Sequence, residues 1–267
     1  MNKIIILILS LSLFSCMKDE LVSSTTKDIP VIQSFLLAGK DSIVVKVQTL
    51  KPYTNDTTDT EKAISGLNIY INKNLLTEQA AGTYLYTASD LHIEPNDTFN
   101  LSLSYNNATV TSQTIIPTKP LNFAISTDTI KVKQMTSTSF SPESKSEMVT
   151  LELTWDNTAK DYHFIVLEWV GTSKVYTNTI IAAEDILTKK TSSPNQDNTY
   201  NINQMELGLY GKYRAVLCRI NKEYYDLLQT TNLNSNNMTN PPSNVSNGWG
   251  LFTAMSSDTV YFWVLKK

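Results

Sequence analysis

Residues that carry chemistry are scarce in this chain of 267 residues. It has two cysteines and two histidines. His92 and His163 have no ligand-spaced neighbours, and neither His-x-x-x-His nor Cys-x-x-Cys occurs, so the spacing patterns of zinc sites are absent. There is no Gly-x-Ser-x-Gly and no glycine-rich phosphate loop. The acidic run Asp56-Thr57-Thr58-Asp59 does not follow a calcium-loop pattern. Charge of one sign is lacking too. Twenty-two Lys and Arg stand against 25 Asp and Glu, a net −3 with no basic patch, which gives no electrostatic case for a nucleic-acid partner. No cofactor and no metal is expected from these absences, and no catalytic residue can be named. Glycine is sparse at eight residues. The one strongly apolar run, Ile4 to Leu11, is too short to span a bilayer.

That short run is informative for another reason. Lys3 precedes it, and Leu13-Phe14-Ser15-Cys16 follows it, which is the layout of a secretory signal ending in a lipoprotein cleavage box. The expectation is that residues 1–15 are removed and that Cys16 carries acyl chains, several of which give stable anchoring where one does not. Lys18, Asp19 and Glu20 follow at once. A Lys followed by two acidic residues resembles the surface-export signal of Bacteroidota lipoproteins. The location expected is the outer membrane, lipid-anchored and facing the cell surface, with a periplasm-facing anchor as the alternative. If Cys16 goes to lipid, Cys218 has no partner for a disulfide. Its setting, Ala215-Val216-Leu217-Cys218-Arg219-Ile220, predicts a buried, inert thiol in a strand.

The rest of the composition belongs to an exported all-β protein. Thr, Tyr, Val and Ile favour strands, while the abundant Asn, Asp and Ser favour turns. Residues 16–29 read as a lipidated tether. Residues 30–118 show about seven short strands with turn signals between them, an immunoglobulin-like or fibronectin-III-like β-sandwich. Val31–Leu37, Ser42–Gln48, Leu67–Ile71, Gly82–Tyr86 and Phe99–Tyr105 are among them, and Asn106-Asn107 is a hairpin turn before Ala108–Ile116 returns. Leu91 to Phe99 looks like the loop-to-strand passage of fibronectin type III domains, with Phe99 where a corner tyrosine is usual. Pro117-Thr118-Lys119-Pro120 reads as a linker. Residues 119–267 then form a second β-rich domain. Its expected strands are Ile130–Val132, Val149–Trp155, Tyr162–Val170, Thr177–Ile181, Tyr213–Ile220 and Thr259–Val264, and Lys189 to Thr199 reads as a polar loop. One helix is predicted near 221–230, capped by Asn221, with Tyr224, Leu227 and Leu228 on one face.

The succession Tyr213-Arg214-Ala215-Val216, Asn221-Lys222-Glu223-Tyr224, Pro242-Ser243-Asn244-Val245 and Gly248-Trp249-Gly250-Leu251-Phe252 is similar to a large family of Bacteroidota outer-membrane lipoproteins. That family is known only as a domain of unknown function (number 4249). The resemblance covers nearly the whole mature chain. It implies a role beside TonB-dependent outer-membrane receptors, since genes of the family often lie next to theirs. It implies no catalytic residues.

Three functions are open at this point. The first is a non-enzymatic binding or accessory lipoprotein that serves a TonB-dependent receptor, with a glycan or peptide as ligand. The second is an adhesin or fimbrial-type structural surface protein, although Lys27 is the only basic residue between Leu21 and Asp28 that a maturing protease could use. The third is a surface hydrolase. If a binding face exists, long polar loops and exposed aromatics are its expected carriers, which singles out Tyr53, Trp249 and Phe252. For the Gly248–Phe252 passage the competing reading is a packing turn that presents Trp249 and Phe252 to the core. Asp41-Ser42-Ile43, Asp128-Thr129-Ile130 and Asp258-Thr259-Val260 resemble the O-glycosylation motif of the same phylum.

Overall fold

A computed structural model describes residues 29–50, 61–88, 91–137, 149–230 and 242–267. The expected lipidation site Cys16, the export residues Lys18, Asp19 and Glu20, the candidate Tyr53 and the signal segment lie outside these residues. The described chain is all-β with one α-helix. Its strands are β1 (Pro30–Leu37), β2 (Ser42–Thr49), β3 (Ile69–Ile71), β4 (Asn74–Leu75), β5 (Thr77–Ala80), β6 (Thr83–Thr87), β7 (Thr98–Tyr105) and β8 (Ala108–Ile115). After the prolines come β9 (Leu121–Ile125), β10 (Thr129–Val132), β11 (Thr150–Asp156), β12 (Tyr162–Trp169), β13 (Lys189–Thr191), β14 (Thr199–Asn203), β15 (Gly211–Ile220), helix α1 (Lys222–Thr230) and β16 (Trp249–Lys266).

Strand order identifies two immunoglobulin-type sandwiches. Such a sandwich sets strands A-B-E-D against G-F-C. In the first, β1-β2-β6-β5 takes the A-B-E-D order and faces β8-β7-β3-β4, which takes G-F-C-C′. In the second, β9-β11-β14 takes A-B-E and faces β16-β15-β12-β13, which takes G-F-C-C′. The alternation of the sequence explains both. Ile32, Val45 and Tyr84 from one sheet meet Ile69, Leu101 and Val110 from the other. Leu151, Leu153 and Ile202 meet Ile165, Leu217 and Phe262. A tyrosine corner is missing from the first sandwich, where Phe99 is simply buried. It is present in the second: near the start of β15, the F strand, the Tyr213 hydroxyl donates to the Leu209 carbonyl and accepts from the Leu209 amide, both at 3.0 Å.

The division at residue 118 needs correction, because the first sandwich is not contiguous in sequence. β16 has 18 residues, roughly 60 Å of extended chain, and serves both units. Its second half runs antiparallel to β15, from Met255 opposite Ile220 to Val264 opposite Gly211. Its first half runs parallel to β1, from Trp249 opposite Val31 to Met255 opposite Leu37. One nine-stranded sheet therefore backs both sandwiches. Val245, Phe252 and Ala254 belong to the first core, far from the 30–118 segment in sequence. Alternation shows that a strand is half-buried but not which of two cores it fills.

The linker is fastened. The Ser256 hydroxyl donates to the Thr118 carbonyl at 2.7 Å, Arg219 donates to the Thr118 hydroxyl, and Lys119 pairs with Asp258 at 2.9 Å. Asn221, expected as a helix cap, spends its carboxamide nitrogen on Thr114 Oγ1 (3.0 Å) and the Ile115 carbonyl (2.9 Å) of β8. Helix α1 then straps the seam on the outside of the long sheet. Tyr224 packs edge-on to Phe35 of the first unit, and Tyr225 stacks on Tyr162 of the second.

Three local expectations are settled by backbone chemistry. Asn106 and Asn107 both take positive φ (47° and 62°), as a two-residue primed hairpin turn requires. Thr177–Ile181 is not a strand, because the Asn178 side chain accepts the Ile180 amide at 2.8 Å and breaks the run into an Asx turn. The polar segment 189–199 is not wholly loop: β13 lies within it, paired with β12.

Candidate functional site

Of the aromatics singled out by sequence, Phe252 is corrected first. It is 0% exposed, so it is a core residue and cannot be a platform for a ligand. The passage that carries it is a seal. The Asn244 carboxamide accepts the Phe252 amide at 3.0 Å and donates to the Phe252 carbonyl at 2.8 Å, standing in for a missing strand partner. Ser246 exchanges two backbone hydrogen bonds with Thr111 of β8, and Ser112 Oγ donates to the Asn244 carbonyl at 2.7 Å. Residues 244–247 thus line the β8 edge and residues 249–255 line the β1 edge, closing one flank of the first sandwich. Trp249 sits at the mouth of that flank. It is half-buried and lines a groove of about 440 Å³ with Ile29, Pro30, Tyr105 and Asn247.

Two further clefts among the described residues are smaller. A shallow depression of about 350 Å³ is lined by Tyr86, His92, Asp97 and Phe99. One of about 200 Å³ borders Lys190 and Glu206. Burial alone would raise the Glu206 carboxyl, but hydrogen bonds from Lys190 (2.7 Å), Tyr200 (2.8 Å) and the Asn203 amide outweigh it and hold it below the usual carboxylate range. The bond from the Asn203 amide is one half of a capping box for the short turn 204–206, so the cluster has a structural use. Burial pushes the Cys218 thiol up to about 11, which leaves it unreactive. No group of three or more His, Cys, Asp and Glu among the described residues could hold a metal ion.

His163 is buried in the second sandwich against Trp155, with Nδ1 3.1 Å from the Asp161 carbonyl, to which it donates. Burial, reinforced by the nearby Arg219 charge, lowers its pKa. The unfolded chain therefore binds this proton more readily than the folded one. The stability it contributes is complete above the ordinary histidine value of about 6.5 and is lost as pH falls through the lower folded value. Urea midpoints measured from about pH 7.5 down to pH 5 should fall, and His163→Gln should flatten that decline.

The open surface with a built character is the outer face of β12, β15 and the second half of β16. In β16 the residues Val260, Phe262 and Val264 turn inward, so Tyr261, Trp263 and Leu265 turn out. Tyr261 and Trp263 are 49% and 48% exposed. Lys212 lies opposite Trp263, its Nζ 4.4 Å from the centre of the Tyr261 ring. Arg214 lies opposite Tyr261 and is forked onto Glu168 Oε2. Lys131 of β10 lies opposite Leu265, and Lys189 of β13 opposite Glu168. This face escaped the sequence reading. Its signal was present in the alternation Thr259-Val260-Tyr261-Phe262-Trp263-Val264, which leaves every second aromatic outward.

A family model described as a domain of unknown function, DUF4249, matches residues 18–260. The chain belongs to that family. No curated protein matches the chain. Among solved structures, the titin domains Z1Z2 in complex with telethonin align over 91% of this chain and 98% of that one, at 10% identity and a TM-score of 0.23. The mouse nectin-like molecule 4 ectodomain (Ig1–Ig3) aligns over 89% of this chain and 65% of that one, at 8% identity and a TM-score of 0.19. In this DUF4249 chain the family-resembling passage 242–252 is therefore the seal of the first sandwich, and the outward aromatics lie elsewhere.

Proposed function

We propose that this DUF4249 protein is a non-enzymatic, lipid-anchored protein of the outer membrane, facing the cell surface, that captures a ligand for a TonB-dependent transporter. The observation that carries this reading is the open Tyr261–Trp263 face. It offers stacking surface and fixed cations. The layout around Cys16 supports the anchor, and the resemblance to a lipoprotein family supports the transporter.

The fimbrial alternative needs an exchangeable strand. The flank of the first sandwich beside β1 is filled by this chain's own β16, so an incoming strand there would have to displace seven paired residues. That weighs against it.

The test is purification of the full-length protein from native outer membranes after mild crosslinking. Co-purification of a TonB-dependent receptor is expected, and its repeated absence would overturn the partnership. Cys16→Ser should move the protein from the membrane pellet to the soluble fraction. Retention in the pellet, unchanged, would overturn the anchor.

A further inference from the structure

Building on that ligand-capture reading, we infer that the outer face of β15 and β16 binds an anionic glycan: a chain of sugar rings that carries carboxylate or sulfate groups. Two features of the face point to this chemistry. The first is the aromatic pair. Tyr261 and Trp263 are alternate residues on one strand, so their rings stand about 7 Å apart in a row along it. A row of rings along an open strand suits the broad apolar faces of successive sugar rings.

The second feature is charge. Outward positions on β10, β12, β13, β15 and β16 hold four cations, Lys131, Lys189, Lys212 and Arg214, and one carboxylate, Glu168. The chain as a whole is slightly acidic, so this surplus is local. Three of the cations flank the aromatic row in register: Lys131 beside Leu265, Lys212 beside Trp263 and Arg214 beside Tyr261. Glu168 already holds Arg214 in place through two bonds to one carboxylate oxygen, which orients the guanidinium beside Tyr261. A neutral glycan would use the rings and leave the positive surplus of the face unanswered. An acidic protein would use the cations and would have to match a half-exposed indole with a pocket of its own. A charged glycan uses both sets along one line.

The face is accessible beyond helix α1, which covers the Tyr162 end of the same sheet and stops short of this one. The cations are solvent-exposed or half-exposed, so their attraction is screened by salt.

The full-length protein, purified in detergent, is tested for retention on immobilised polygalacturonate and chondroitin sulfate, with dextran as the neutral polymer. Retention on either anionic polymer and not on dextran is expected, weakening by about 10-fold between low and high salt. Trp263→Ala and Lys212→Glu should each weaken it by about 10-fold, whereas Lys46→Ala, a remote exposed cation on β2, should not. Thermal melts of both face variants should match the parent, which separates lost binding from lost folding. No retention on either anionic polymer, equal retention on dextran, or retention insensitive to both face variants would each overturn the inference. So would capture of an acidic protein by this face without any glycan. A transporter that co-purifies while no glycan binds would leave the proposed function standing and remove only this inference.

Discussion

Gly250→Ala unfolds the first sandwich at a temperature where the parent is intact. The expected loss is about 3–5 kcal/mol, at the severe end for one methyl group. Two independent causes combine. Gly250 has φ +103°, a backbone conformation that side chains rarely adopt. Its missing Cβ would stand 2.0 Å from the Ile32 carbonyl oxygen and 2.9 Å from the Ile32 nitrogen. These are main-chain atoms of β1, the strand Gly250 pairs with, so no rotamer change relieves them. Only separation of β1 from β16 does, and that opens the flank over Phe252. Differential scanning calorimetry should show a fall of the transition by roughly 10 °C, since about 1 kcal/mol shifts a chain of this size by roughly 2–4 °C. An unchanged melt would mean that β16 does not lie against β1 as described.

The second large effect belongs to Asn244→Ala. Its carboxamide makes both hydrogen bonds that a neighbouring strand would give the Phe252 peptide, at 3.0 and 2.8 Å. Removing it leaves a backbone donor and acceptor unpaired beside a fully buried ring, a cost of about 2–3 kcal/mol for the two groups. Asn244→Asp keeps the acceptor and loses the donor, so it should fall between parent and alanine. Denaturant midpoints order the three variants. If alanine and parent coincide, the carboxamide is not a surrogate strand. Neither Gly250→Ala nor Asn244→Ala touches the Tyr261–Trp263 face, so binding measured below the melting transition should survive both.

Much of this fold could be read from the chain. Ser42–Gln48, Ala108–Ile116 and Val149–Trp155 alternate because each has one face on a core and one outside, and all three are strands within a residue at their ends. The Asn106-Asn107 turn was legible because asparagine tolerates positive φ. The turn at Asn72 and Lys73, also at positive φ, was not, because a lysine there carries no local signal. Pairing of residue 31 with residue 249 was hidden for a different reason. Periodicity is local information, and parallel pairing across two hundred residues is decided by which edge is left open.

The site was less legible. Trp249 and Phe252 drew attention because glycines surround them, and glycine marks close approach as often as exposure. Here it marks close approach. Tyr261 and Trp263 sit in a run that reads simply as a strand, and their outward direction follows only once Phe262 and Val264 are placed inside. The cations beside them come from three other strands, brought level by register alone.

The shared strand also has a consequence in time. A polypeptide emerges amino end first, from a ribosome or through a secretion channel. Trp249 appears more than two hundred residues after Pro30, a wait of roughly ten seconds to most of a minute at ~5–20 residues per second. Throughout that interval one border of the earliest-formed module stands naked and ready to stick to whatever passes. The interval in which that edge can pair wrongly is set by how late its own tail arrives.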